Sequence, residues 1–130
     1  MKKVAIIGAG ISGISCALEL ERHGIRPVIF EIKAHVGKAI NCSIIWPRVL
    51  FRTKTAPLKY LKKQYGISLT PTNPIRKIIM FSQNNSTTVK GKLGYIFLQG
   101  THEYALERQL FNYIDTPVTF NRYVEAENIK

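Results

Sequence analysis

The feature that most restricts the fold of this chain is a glycine cluster, Gly8-Ala9-Gly10-Ile11-Ser12-Gly13, set directly between a short apolar run and a helical pattern. The run, Val4-Ala5-Ile6-Ile7, ends in glycine and reads as a strand buried on both faces, as in a parallel sheet. Beyond the cluster, Ile11, Ile14, Ala17 and Leu18, with Cys16 beside them, fall at helical spacing, and Gly24 after His23 marks the helix stop. Arg26-Pro27-Val28-Ile29-Phe30 supplies a second strand ending at Glu31. Strand, glycine turn, helix and strand follow one another over 2–31, the pattern of a right-handed βαβ unit.

The spacing of the glycines carries a chemical expectation. Gly8 permits a tight turn out of the strand, Gly10 leaves room for backbone to approach a pyrophosphate, and Gly13 with Ala17 lets the helix lie close to the sheet. The free N–H groups and positive end of that helix then meet the two phosphate charges. Glu31 stands 21 residues after Gly10 at the carboxyl end of the second strand. A carboxylate there accepts hydrogen bonds from both hydroxyls of an adenosine ribose and repels a 2′-phosphate. An adenine dinucleotide is the expected ligand; the alternative is a tight turn with a solvent-facing glutamate and no ligand.

The remainder is expected to form a series of small elements. An irregular basic connection is expected over 32–54, with a small helix near 39–45, and then a short helix over 55–66 with Thr55 as cap and Pro57 in its first turn. A meander is expected over 75–98, with strands at 75–81, 87–89 and 93–98 and a turn at Asn84-Asn85. Thr101 is expected to cap a helix over 101–114 whose Leu106, Leu110, Phe111 and Ile114 face the core. A last strand follows over 117–124, and the three strands of the parallel sheet are expected in the order third, second, first.

A chain of 130 residues supports one domain with a modest core. Its charge of +11 is unevenly distributed: between Glu31 and Glu103 there are twelve Lys and Arg and no Asp or Glu. Such a stretch attracts phosphates or an acidic partner surface. No Arg-rich run or aromatic-interleaved module accompanies it, which argues against nucleic acid as the partner. Arg48, Arg52 and Lys54 are candidates for receiving a phosphate or carboxylate, against the simpler reading of a solvated basic face. Cys16 and Cys42 lack CxxC spacing and His23, His35 and His102 lie far apart, so no metal site is expected. Lys2 and Lys3 before an apolar stretch imitate an export signal, but the glycines at 8, 10 and 13 weaken such a helix, and a cytoplasmic setting with no transmembrane segment is expected.

After Glu31 the sequence runs Ile32-Lys33-Ala34-His35-Val36-Gly37-Lys38. Together with the glycine loop this resembles the FAD-dependent oxidoreductases of the glutathione-reductase-like superfamily, whose ribose-binding acid opens a pattern of Glu, four or five variable residues including a basic one, and Gly-Gly. Lys33 and Gly37 match that pattern, while Lys38 stands where the second glycine is usual. The later segments are similar in layout to geranylgeranyl-reductase-like and aromatic-hydroxylase-like members, in which Val124 would offer backbone groups to adenine.

The resemblance implies an α/β chain with a partial Rossmann-type FAD/NAD(P)-binding fold, parallel strands and an inserted small antiparallel meander. It implies FAD as cofactor, with NAD(P)H a candidate electron donor, held by Gly8, Ala9, Gly10, Ile11, Ser12, Gly13, Glu31, Ile32, Lys33, Gly37, Lys38 and Val124. The family's later small-residue turn and Gly-Asp motif do not occur before Lys130, so the chain is expected to be the first part of a longer flavoprotein whose C-terminal portion completes the site. Catalytic residues and substrate are not assigned by it. An NAD-binding dehydrogenase or reductase, and a non-catalytic module that binds a nucleotide or docks to an acidic partner, remain open beside it.

Overall fold

The computed structural model describes residues 4–37, 42–47, 55–125 and 127, arranged as two compact units, Met1–Asn41 with Gln99–Lys130 and Cys42–Leu98. The first unit contains β1 (Ala5–Ile7), α1 (Ile11–Arg22), β2 (Val28–Phe30), α3 (Leu106–Phe111) and β6 (Val118–Thr119), and the second contains β3 (Cys42–Pro47), α2 (Pro57–Tyr65), β4 (Asn73–Phe81) and most of β5 (Ser86–Gln99).

In the first unit the strands run parallel in the order β1-β2-β6, the order the sequence predicts. Ile6 pairs with Ile29 and Ile29 with Val118, so these three share one face of the sheet. Ile6 and Ile29 are buried there, together with Ile14 and Ala17 of α1. Helix α3 packs on α1 through an element whose Leu106 and Leu110 are buried. The carboxylate of Glu21 ties the end of α1 to the approach to β6: its Oε1 accepts a hydrogen bond from Asp115 N at 3.0 Å and another from the Thr116 hydroxyl.

The first strand is not buried on both faces as its composition suggests. Ala5 and Ile7 alternate with buried Ile6, Ile7 is 52% exposed, and Val28 beside Ala5 is 39% exposed. Helix α1 covers one face of the sheet, and apolar residues on the other meet solvent. Cys16, placed beside the helical core pattern, is also exposed.

Helix α1 ends as its sequence dictates, with Gly24 at φ +73 after the cap residue His23. Helix α3 is shorter than the helix expected over 101–114. Thr101 does not begin it; Ala105 is its N-cap, and Asn112 ends it. Here the amphipathic pattern of Leu106 and Leu110 identified the packed turns but not the bends before them.

In the second unit the strands lie in the order β3-β5-β4, with β4 and β5 antiparallel. The region read as two short strands at 87–89 and 93–98 is a single strand, β5, which runs through Gly91 at φ +148 and Gly94 at φ +152; the irregularity appears as a register shift opposite Ile75 and Lys77. The segment near 39–45, read as irregular with a small helix, includes the first half of strand β3, whose Ile44, Ile45 and Trp46 are strong strand formers once β5 offers a partner. Its residues 38–41, like Arg48, Arg52 and Lys54, lie outside the described residues. Gly94 is needed beside it, because a Cβ there would strike the carbonyl oxygen of Trp46 and come within 2.9 Å of Pro47 Cα. Helix α2 has Pro57 at its first turn and ends on left-handed Gly66 as expected, but its N-cap is Ala56, one residue after Thr55.

Candidate functional site

At the carboxyl end of β1 the chain turns through Gly8, at φ +97, a conformation that side chains with a Cβ seldom adopt. Gly8 N donates to Phe30 O at 2.7 Å and so continues the pairing of β1 with β2 into the turn. Ala9 is buried, and Gly10 caps α1 in extended geometry, with φ −83 and ψ −177 and no side chain to satisfy the helix. The first turn of bonds within the helix opens with Ile14 N donating to Gly10 O at 3.0 Å. Ile11, Ser12 and Gly13 therefore carry N–H groups that no preceding helical carbonyl receives.

The two inner glycines differ in what surrounds them. A Cβ on Gly10 would find nothing within 4 Å. On Gly13 it would strike the Gly8 carbonyl oxygen and stand 3.3 Å from Ile6 Cγ2. Gly13 therefore permits close packing of α1 on β1, whereas Gly10 leaves open space in front of the helix terminus.

Glu31 follows β2 and is 8% exposed. Its Oε2 accepts from Ala9 N at 2.6 Å and its Oε1 from Lys33 N at 3.0 Å. Each oxygen retains a further lone pair. The backbone of Glu31 is fixed as well: its N–H donates to Thr119 O at 2.9 Å, and its C=O accepts from Arg122 N at 2.9 Å. Glu31 thus joins the glycine turn to the end of β2 through its carboxylate, and the end of β6 to both through its backbone.

A groove of about 150 Å³ lies across these strand ends, lined by Gly8, Phe30, Glu31, Ile32, Arg122 and Val124 among others. The structure accordingly brings Gly8, Glu31, Ile32 and Val124 together, with Ala9 bonded to Glu31 beneath them. Lys33 contributes its backbone N–H to Glu31, and Asn121 N donates to Lys33 O at 3.0 Å. Gly37 stands elsewhere in the unit: at φ +97 it packs so closely on Gly100 that a Cβ would strike the Gly100 carbonyl oxygen. Lys38 lies outside the described residues. Phe30, Arg122 and Tyr123 line the groove without having been singled out by the sequence; the only hint was their position at the ends of β2 and β6.

A parallel sheet whose first turn is glycine-rich, whose helix terminus opens onto free space and whose second strand ends in a carboxylate has the arrangement of a Rossmann-type βαβ unit. Residues 6–55 match the family model of the NAD(P)-binding Rossmann-like domain. The chain is 46% identical over 43 residues to the glutamate synthase [NADPH] small chain of Halomonas elongata, a match covering 33% of this chain and 9% of that protein. It is 37% identical over 49 residues to the mitochondrial protoporphyrinogen oxidase of Nicotiana tabacum, covering 35% of this chain and 10% of that protein. It is 32% identical over 76 residues to a possible lysine-specific histone demethylase 1 of Drosophila melanogaster, covering 53% of this chain and 8% of that protein. Among solved structures it is similar to the tetrameric form of 2-methyl-3-hydroxypyridine-5-carboxylic acid oxygenase, with a TM-score of 0.61 at 17% identity, over 93% of this chain and 32% of that one. The chain thus carries a partial Rossmann-like fold and spans a small part of the proteins it matches.

Among the described residues no helix is long and apolar enough to cross a membrane, and no three His, Cys, Asp or Glu side chains gather as a metal site would require.

Proposed function

We propose that the first unit holds the adenosine and pyrophosphate half of FAD, and that the chain is the nucleotide-binding segment of a flavin-dependent oxidoreductase. The observation that carries this reading is the open space at Gly10 in front of the α1 terminus, together with the Glu31 carboxylate in the adjoining groove. The N–H groups of Ile11, Ser12 and Gly13 would bind the pyrophosphate, and Glu31 would use its remaining lone pairs to orient the ribose hydroxyls. Gly8 and Val124 would border the adenine, with Ile32 and Lys33 shaping the loop beside the ribose. Gly8, at φ +97, fixes the turn that leads into these groups. Gly37 and Lys38 are proposed as a second loop of the same site on the strength of the sequence resemblance.

When bound, FAD supplies hydride and electron transfer, with NAD(P)H the proposed electron donor and the substrate a small molecule. The protein's part is to hold and orient it. That the catalytic portion lies in further chain is supported by the uncovered apolar face at Ala5, Ile7 and Val28 and by the 32% coverage of the solved oxygenase.

The match to an NAD(P)-binding domain favours a second reading, in which NAD occupies the same groove. Competition separates the two. Purified in its longest natural form, the protein should carry a yellow flavin, and ADP should compete with FAD. A colourless protein that binds NAD and not FAD would overturn the first reading.

A further inference from the structure

The second unit contains a cavity of about 540 Å³ between the start of α2 and the inner ends of β4 and β5. Lys59 of α2, Arg76 of β4 and Lys92 of β5 line it from three elements, and Ile75, Gly94 and Tyr95 contribute to its wall. Its size is that of a small-molecule site. No Asp or Glu occurs between Glu31 and Glu103, so the sequence places no carboxylate in the unit to neutralise these three cations. The exposed ion pairs of the described residues lie instead around Glu19, in the other unit.

Three like charges gathered around one concavity repel one another unless an anion joins them. A carboxylate supplies one negative charge. A phosphate monoester carries nearly two at neutral pH and presents three acceptor oxygens that can be approached from three directions at once. The guanidinium of Arg76 can engage two of those oxygens as a fork, and the ammonium groups of Lys59 and Lys92 can meet the remaining charge. The uncapped start of α2 at Ala56 adds a favourable dipole on the same side. The apolar wall of Ile75 and Tyr95 leaves room for the organic part of the ligand.

We propose that this cavity is a binding site for a phosphate monoester of a small molecule, with Lys59, Arg76 and Lys92 as its anion-binding residues. The proposal does not depend on the dinucleotide reading, since none of these residues belongs to the glycine loop or its groove.

The test uses the whole chain, titrated with phenyl phosphate while backbone amide resonances are followed by NMR. Saturable shifts confined to the neighbourhood of Lys59, Arg76, Lys92 and Tyr95 are expected. Arg76→Gln and Lys92→Gln should each weaken binding by about tenfold and leave the remaining spectrum unchanged, since both side chains are exposed. Arg26→Gln, which removes an exposed cation of the first unit, should leave this affinity unaltered. Equal or tighter binding of benzoate would overturn the assignment to phosphate. Binding of a single-stranded oligonucleotide without binding of phenyl phosphate would make this a nucleic-acid surface instead. Non-saturating shifts spread over every lysine would reduce it to general basicity, and the proposal would fall.

Discussion

Alanine at Gly13 and alanine at Gly10 should have unequal effects, although both replace a glycine of the same loop. In the interior of a helix, alanine is ordinarily better than glycine by about 1 kcal/mol. At Gly13 that gain is set against a Cβ driven into the Gly8 carbonyl oxygen, 3.2 Å from Gly8 C and 3.3 Å from Ile6 Cγ2. The obstacle is backbone, so it cannot rotate away; α1 must lift from β1 and loosen the packing of Ile14 and Ala17. Overpacking of this kind costs about 1–3 kcal/mol, and more when a helix must move. A net loss of about 2 kcal/mol follows, which for a domain of this size lowers Tm by roughly 6–10 °C. Gly10 already has φ −83 and a Cβ there meets nothing, so in Gly10→Ala the gain of about 0.4–1 kcal/mol through the unfolded state is offset by alanine's weakness as an N-cap, and stability should change by less than about 1 kcal/mol. The same methyl intrudes on the space proposed for the pyrophosphate, and Gly10→Val should abolish dinucleotide binding with the fold intact. Urea denaturation read by circular dichroism, paired with ADP titration, measures both effects. A Gly13→Ala protein as stable as the parent would refute the account of the helix packing, and a Gly10→Val protein that binds ADP normally would refute the phosphate site.

Other outcomes follow from single contacts. Glu31→Ala should weaken ADP binding by about 1.5–3 kcal/mol and also destabilise the chain by about 2–4 kcal/mol, because the Ala9 and Lys33 N–H groups lose their acceptor; calorimetric titration and urea denaturation read the two separately, and unchanged affinity would remove Glu31 from the site. Glu21→Ala should cost about 1–3 kcal/mol, since Asp115 N and the Thr116 hydroxyl lose their shared partner, and a thermal melt unchanged from the parent would contradict it. Glu107 is 2% exposed and its Oε2 has no hydrogen-bond partner, so Glu107→Leu should raise stability by about 1–3 kcal/mol in the same urea experiment; a fall would show that the carboxylate is matched by a favourable charge.

The βαβ unit was legible because each of its signals is local. Gly8 sets a turn, Gly13 sets a helix-to-strand distance, and Ile6, Ile14 and Ala17 set the buried stripe; all act within one stretch of chain. The order of the three parallel strands is the one a doubly wound sheet begins with. Strand β3 was not legible, since Ser43, Ile44 and Ile45 become a strand only by pairing with β5, far along the sequence. The continuity of β5 was hidden by Gly91 and Gly94, which read as breakers but are accommodated as an irregularity and a close approach to β3. In the candidate site, Val124 was expected from the resemblance and Glu31 from its place at the end of the second strand. Its bond to Ala9 was not, nor were Arg122 and Tyr123, because these depend on where the chain returns after β6.

The outer part of the β4–β5 hairpin is exposed at every residue from Arg76 to Lys92, with Ile79, Met80 and Phe81 among them. With no core beneath it, this arm is held by its ladder and by cross-strand pairs such as Ile78 with Val89, each contributing about 0.2–1 kcal/mol, while Lys77 faces Lys90 and repels it. Its amide hydrogens should therefore exchange with solvent through local opening, at a rate set by the arm and indifferent to the stability of the rest of the chain. Those of Ile29 and Ile14 should exchange only when the parallel sheet and its helix come apart. One polypeptide thus contains two clocks, and deuterium uptake followed over time would separate them.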